Sequence, residues 1–149
     1  MRNFGIRTLV TAVTAGLVGV FALSGVSSAA TAGANQGVTA DSVKIGFIYS
    51  KTGVASATSG TSEIGCKARV AAENAKGGVN GRKIEVSYAD DQSSGANKTA
   101  AQDLVQNQHV FMVINDSAFA FLTYQFLLDS GVPLIGGGYD GTYYGLPGN

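Results

Sequence analysis

Beyond residue 42 two kinds of apolar pattern alternate along the chain. Residues 43–49 (VKIGFIY) are short, β-branched and aromatic, and they run into the polar Ser50, Lys51, Thr52 and Gly53. This predicts a buried strand followed by a loop, which the small polar residues 54–60 continue. Across 61–76 the apolar positions Ile64, Ala68, Ala71 and Ala75 are spaced four, three and four. That spacing predicts a helix with those four on its buried face and Glu63, Lys67 and Glu73 mostly off it. Gly77 and Gly78 end the helix, and Asn80 and Gly81 supply the left-handed positions of a tight turn. Residues 83–89 alternate polar and apolar, as a half-covered strand does. Residues 90–95 (DDQSSG) form a turn with capping residues. A second helix follows over 96–107, with Ala96, Ala100, Ala101, Leu104 and Val105 as its apolar stripe. The unbroken apolar run 110–114 predicts a strand covered on both faces. Asn115, Asp116 and Ser117 are expected to cap a third helix over 118–130, terminated by Gly131. A fourth strand, 132–135, is broken by Gly136, Gly137 and Gly138.

A β-α-β-α-β-α-β order with doubly buried strands implies an α/β fold, an open, doubly wound parallel sheet with right-handed crossovers. Such sheets bind ligands beyond the carboxyl ends of their strands, near the point where strand order reverses. The loops at those ends are 50–59, 90–95, 115–118 and 136–144. They are rich in Ser, Thr, Gly, Asp and Tyr, a composition suited to a polar-ligand cleft.

The first forty residues differ from the rest. Arg2 and Arg7 precede a fifteen-residue apolar run, 9–23, followed by the small residues 24–32 (SGVSSAATA). This is the layout of a secretory signal peptide over 1–30, cut near Ala30, with a cut after Ala32 as the alternative. The run is short for a membrane span, which needs about 20 residues. No Cys stands just after it to carry a lipid, so an exported, periplasmic or extracytoplasmic, non-lipoprotein chain is expected. Residues 31–42 read as a flexible mature N-terminus.

The full chain of 149 residues balances 10 Lys+Arg against 10 Asp+Glu. The leader holds two arginines and no acid, so the mature chain carries two net negative charges. That balance excludes a nucleic-acid partner, which demands a basic surface. One cysteine excludes an intrachain disulfide framework and a Cys-based metal site.

Several motifs invite sharper readings. Residues 136–141 (GGGYDG) fit G-x-G-x-x-G after a strand, but a dinucleotide site needs a helix next, and 142–148 are not helical in pattern. Asp90 and Asp91 resemble a carboxylate pair, yet a turn accepting backbone N–H bonds accounts for them and no calcium-loop spacing follows. His109, the single histidine, falls in a polar loop, and no Gly-x-Ser-x-Gly elbow is present for a hydrolase. Cys66 is expected to be a partly buried, unreactive thiol. The apolar excess of 118–130 is explained by packing on the sheet, or marks a surface for a partner.

The segments VKIGFIYSKTG (43–53), AENAKGGVNGRKIEVSYADDQSS (72–94) and VPLIGGG (132–138), in this order, resemble the branched-chain amino-acid-type solute-binding proteins of ABC importers. The resemblance implies part of the N-terminal lobe, over 43–149, of a type I periplasmic-binding fold. It implies a binding protein rather than an enzyme, with no cofactor and no metal. Its solute would be an amino acid or similar small polar molecule, and its partner an ABC permease in the membrane. Carried over by position, the ligand-binding residues are Thr52, Gly53 and Ser56 in the first loop and Asp116, Ser117 and Ala118 after the third strand. Gly138, Tyr139 and Asp140 after the fourth strand complete the set. An acidic Asp140 would repel a carboxylate and accept an ammonium or hydroxyl, and Tyr139 suits stacking. The alternative is a ligand-sensing domain of the same fold in a receptor or regulator.

Overall fold

The computed structural model describes residues 36–136. The expected leader and its cleavage point, and the candidate residues Gly138, Tyr139 and Asp140, lie outside them. The elements are β1 (Ser42–Tyr49), α1 (Ser56–Ser59), α2 (Ser62–Ala75), β2 (Lys83–Asp90), α3 (Asn97–Gln106), β3 (Met112–Asp116), a 3₁₀ turn (Ala120–Leu122), α4 (Tyr124–Asp129) and β4 (Leu134–Gly136). The four strands form one parallel sheet in the order β2-β1-β3-β4. The chain moves from β1 outward to β2, then crosses back to β3 on the other side of β1. The strand order therefore reverses between β1 and β3, as a doubly wound sheet requires.

Alternate residues of each strand face opposite layers. Ile48 and Val113 join Ala101, Leu104 and Val105 of α3, and Leu127 of α4, in the main buried core. The opposite face carries Ile45, Phe47 and Ile114 and meets α2 through Cys66 and Val70. Among the described residues α2 covers this face incompletely, leaving a groove of about 420 Å³ between it and β3.

The α2 helix forms where the spacing predicts it but is rolled about its axis. Ile64 is 69% exposed, and Ala68, Ala71 and Ala75 are exposed as well. The half-buried positions are instead Ser62, Glu63, Cys66, Val70, Glu73 and Asn74. Polar anchors fix this roll. Asn74 accepts the Ile84 N–H and donates to the Ile84 carbonyl, both at 2.8 Å. At the other end the Tyr49 hydroxyl donates to Glu63, and Ser62 donates to Asp116.

The turn after α2 forms as expected. Gly78 has φ +81°, and a Cβ there would fall 1.8 Å from the Arg82 carbonyl oxygen, so no other residue fits. Asn80 and Gly81 both take positive φ between the paired Val79 and Arg82.

Other boundaries move for local reasons. Residues 54–60 are not a plain loop, because Ser56–Ser59 close one helical turn. The third strand ends at Asp116, so Asn115 and Asp116 belong to it and cap no helix. The expected helix over 118–130 is divided into the 3₁₀ turn and α4. Thr123, fully buried between them, donates its hydroxyl to the Ala120 carbonyl and accepts from Asn115. Such side-chain bonds compete with a continuous helical ladder. The fourth strand starts at Leu134 and includes Gly136. The part of the flexible N-terminal segment that is described, 36–41, is tied down. Gln36 donates to the carbonyls of Val105 and Val110, and the Lys44 N–H donates to the Gly37 carbonyl.

Candidate functional site

The carboxyl ends of β1, β2 and β3 lie side by side, with Tyr49 in register with both Asp90 and Asp116. Because β1 and β3 diverge in their onward connections, their end loops leave a depression between them. A cavity of about 70 Å³ there is lined by Ala55, Thr58, Ser59, Asp116 and Ala118. These residues carry two hydroxyls, a carboxylate and three methyl groups. The Asp116 side chain accepts from Ser62 through Oδ2, the Thr58 hydroxyl donates to the Ala55 carbonyl at 2.8 Å, and the Ser59 hydroxyl donates to the Ser50 carbonyl.

The candidate residues separate into three groups. Asp116 and Ala118 are exposed and line the cavity. Ser56 opens α1, the turn that presents Thr58 and Ser59. Thr52 and Gly53 stand on the β2 side. Asp90 accepts the Thr52 hydroxyl at 2.6 Å and the N–H groups of Lys51, Thr52 and Gln92. Burial pushes the Asp90 carboxyl up, but these bonds outweigh it and hold it below the ordinary carboxylate value. Gly53 has φ +83° and its missing Cβ makes room for Ser93, whose hydroxyl donates to the Thr52 carbonyl and accepts the Ala55 N–H.

Ser117 lies beneath the surface, 1% exposed, and donates to Asp91. Its backbone N–H is held by Asn115 Oδ1, and its own oxygen accepts the Phe119 N–H. Its side chain shapes the loop from below instead of facing the cavity. The same holds for Ser50, whose hydroxyl donates to Asp91 at 2.6 Å.

The cavity residues that sequence reasoning did not single out are Ala55, Thr58 and Ser59, and Asp91 was weighed only as half of a carboxylate pair. These three sit in a stretch of small residues (VASATSG) with no pattern to mark it. Asp91 read as an ordinary turn residue. The turn itself is present, since Asp90 and Asp91 accept the N–H groups of Gln92 and Ser93, but neither side chain caps α3. His109 is exposed at φ +53°, and Cys66 is half-buried against the sheet.

A family model described as periplasmic binding protein matches residues 42–148. No curated protein matches the chain. LivJ from Streptococcus pneumoniae, a branched-chain amino acid transporter substrate binding protein solved with isoleucine, is 29% identical with a TM-score of 0.59. That match covers 64% of this chain and 28% of LivJ. A periplasmic binding protein from Burkholderia mallei is 29% identical, TM-score 0.56, with 67% and 27% of the two chains covered. A solute binding protein of an ABC transporter from Rhodopseudomonas palustris, solved with 3,4-dihydroxybenzoic acid, is 26% identical, TM-score 0.53, covering 64% and 27%. The chain thus spans little more than a quarter of each. The four-stranded parallel sheet with flanking helices is part of the type I periplasmic-binding fold. Proteins of this kind are extracytoplasmic solute-binding proteins, not enzymes. With the sheet order, the switch-point depression and the match over 42–148 in agreement, this chain belongs to the periplasmic binding protein family.

Proposed function

We propose that this chain forms one wall of the solute cleft in the receptor of an ABC importer, and that its solute is an amino acid or similar small polar molecule. The observation that carries the reading is the switch-point depression. There Thr58, Ser59 and Asp116 line one small cavity with Ala55 and Ala118; both hydroxyls donate to backbone carbonyls, so the lining is rich in acceptors. A site of that size holds one polar group, such as an ammonium or hydroxyl, and leaves the rest of the solute to be enclosed from other sides. Likeness to LivJ, solved with isoleucine, supports the amino-acid class. The basic n-region, apolar run and small residues before Ala30 support export of the chain, which places the wall where an importer meets its solute. The loaded receptor delivers its solute to a membrane permease.

The test is saturation-transfer NMR on this chain with L-isoleucine, L-leucine, 3,4-dihydroxybenzoate and decanoate. Weak, reversible signals from the amino acids are expected, lost in D116A. Signals from decanoate alone, or from none of the four, would refute the reading.

A further inference from the structure

Beneath the depression lies a fully buried charged group. Asp91 is the first residue after β2 and has no solvent exposure. Its Oδ1 accepts the Ser50 hydroxyl at 2.6 Å and the Ser93 N–H at 2.9 Å. Its Oδ2 accepts the Asn97 amide at 2.9 Å and the Ser117 hydroxyl. The donors come from four places: the end of β1, the turn after β2, the start of α3 and the loop after β3. Burial pushes the carboxyl up, yet the bonds from Ser117, Ser50, Asn97 and Ser93 together hold it below its ordinary value, so it is ionised at neutral pH.

Two further observations show how much is organised around this group. Gln92, Ser93 and Ser94 all take positive φ, a run that survives only where surrounding contacts over-determine it. The Asp90 and Asp91 carboxylates supply those contacts by accepting the N–H groups of Gln92 and Ser93. Asn97, also fully buried, spends its Nδ2 on Asp91 while its Oδ1 has no partner among the described residues. A buried amide oxygen left bare is costly, so the Asn97–Asp91 bond is what the side chain is placed for.

We propose that Asp91 is the positioning residue of the solute wall. Its carboxylate is a single pin that sets the β1, β2 and β3 end loops relative to one another, and so sets Ser59 against Asp116 and Ala118. It touches no solute itself. Ser50 and Ser117 do not contact each other in any bond described above; both act through the pin. Ser59 is reached through Ser50, whose N–H donates to the Ser59 hydroxyl at 3.2 Å. Donors that converge on one buried charge are coupled through its position, and the coupling is measurable by a double-mutant cycle.

This inference rests on the solute-wall reading, and the experiment separates the two. L-Isoleucine is titrated by ¹⁵N NMR into wild type, S50A, S117A, S50A/S117A, D91N and N74A. S50A and S117A are each expected to weaken isoleucine binding roughly fivefold, although both side chains are hidden from it. The double variant is expected to be no more than about twofold weaker than either single one, because one pin is broken once. S50A is also expected to move the amide resonances of Ser93, Ser117 and Phe119. D91N stays folded, because Asn97 can turn its amide over and accept from the new one, and it weakens binding as S117A does. N74A, which loosens the far end of α2, leaves the affinity unchanged. A uniform loss in N74A as well would reduce Asp91 to general stability and overturn the proposal. So would unchanged affinity in S50A and S117A, or fully additive losses. If wild type binds no isoleucine, isoleucine is not its solute. The amide shifts then decide alone: Ser117 and Phe119 unmoved by S50A would refute the pin.

Discussion

The helices α2 and α3 lie on opposite faces of the same two strands, and each carries an apolar stripe legible in the sequence, but only one stripe is buried. In α3 the stripe Ala100, Ala101, Leu104 and Val105 enters the main core. In α2 the stripe Ile64, Ala68, Ala71 and Ala75 faces outward, and a row led by Ser62, Cys66, Val70 and Asn74 faces the sheet. The difference is one of magnitudes. Burying Leu104 and Val105 is worth about 1.5–3 kcal/mol each, enough to set a helix's roll. The α2 stripe offers one large side chain, Ile64, and three alanines at about 0.8 kcal/mol per methyl, and turning it inward would turn Val70 out. Against them stand Asn74, bonded twice to the Ile84 backbone at about 1 kcal/mol per bond and more to strand a partner, and Glu63 bonded to Tyr49. In α2 the polar anchors prevail.

This contrast can be broken at four points. The largest effect is expected for L104A on the α3 side, a loss of about 3 kcal/mol of stability from transfer and cavity together, read from the urea midpoint. Next is N74A, which strands the Ile84 N–H and carbonyl. About 2 kcal/mol should be lost, with faster hydrogen exchange at Ile84 than at Leu104. An α2 held by its apolar stripe would instead tolerate N74A.

Acid sharpens the comparison further. The hydrogen bond from Lys67, then that from Tyr49, lowers the Glu63 carboxyl from its ordinary 4.5 to about 2. A depressed acid stabilises fully above its unfolded value and loses that contribution as pH falls through its folded one. The first turn of α2 should therefore loosen between pH 4.5 and about 2, while amides near Leu104 stay protected. Equal loosening of both helices would contradict the assignment. The smallest effect is A68E on the exposed stripe of α2, within about 0.5 kcal/mol of wild type in thermal melting. A burial model predicts several times that.

The same physics explains how much could be read in advance. Strands rich in Val, Ile, Phe and Tyr, and an α3 stripe containing Leu104 and Val105, declare their buried faces because large apolar side chains have one good place to go. The glycine turn at 77–81 was legible because positive φ has few occupants. The roll of α2 was not, since Asn74 and Glu63 look like surface residues until their partners on β2 and β1 are in place. The division of the 118–130 helix depends on Thr123 meeting Asn115, a contact between separate elements with no local signature. The site divides along the same line. The polar loops at the strand ends follow from the alternation of elements, while Asp116 and Ala118, carried over from the resemblance, do line a cavity there. The inward turn of Ser117, expected to cap a helix and to meet the solute, and the burial of Asp91, expected to be a turn residue, arise only when three loops converge.

The central claim is that solute meets this chain at the carboxyl ends of its strands. A ¹⁵N NMR map of amide shifts on titrating L-isoleucine into the chain tests that most directly. Changes confined to residues 50–59, 90–95 and 116–119 are predicted. Changes centred on the exposed face of α2, or at the opposite strand ends near Ser42, Lys83 and Met112, would contradict it.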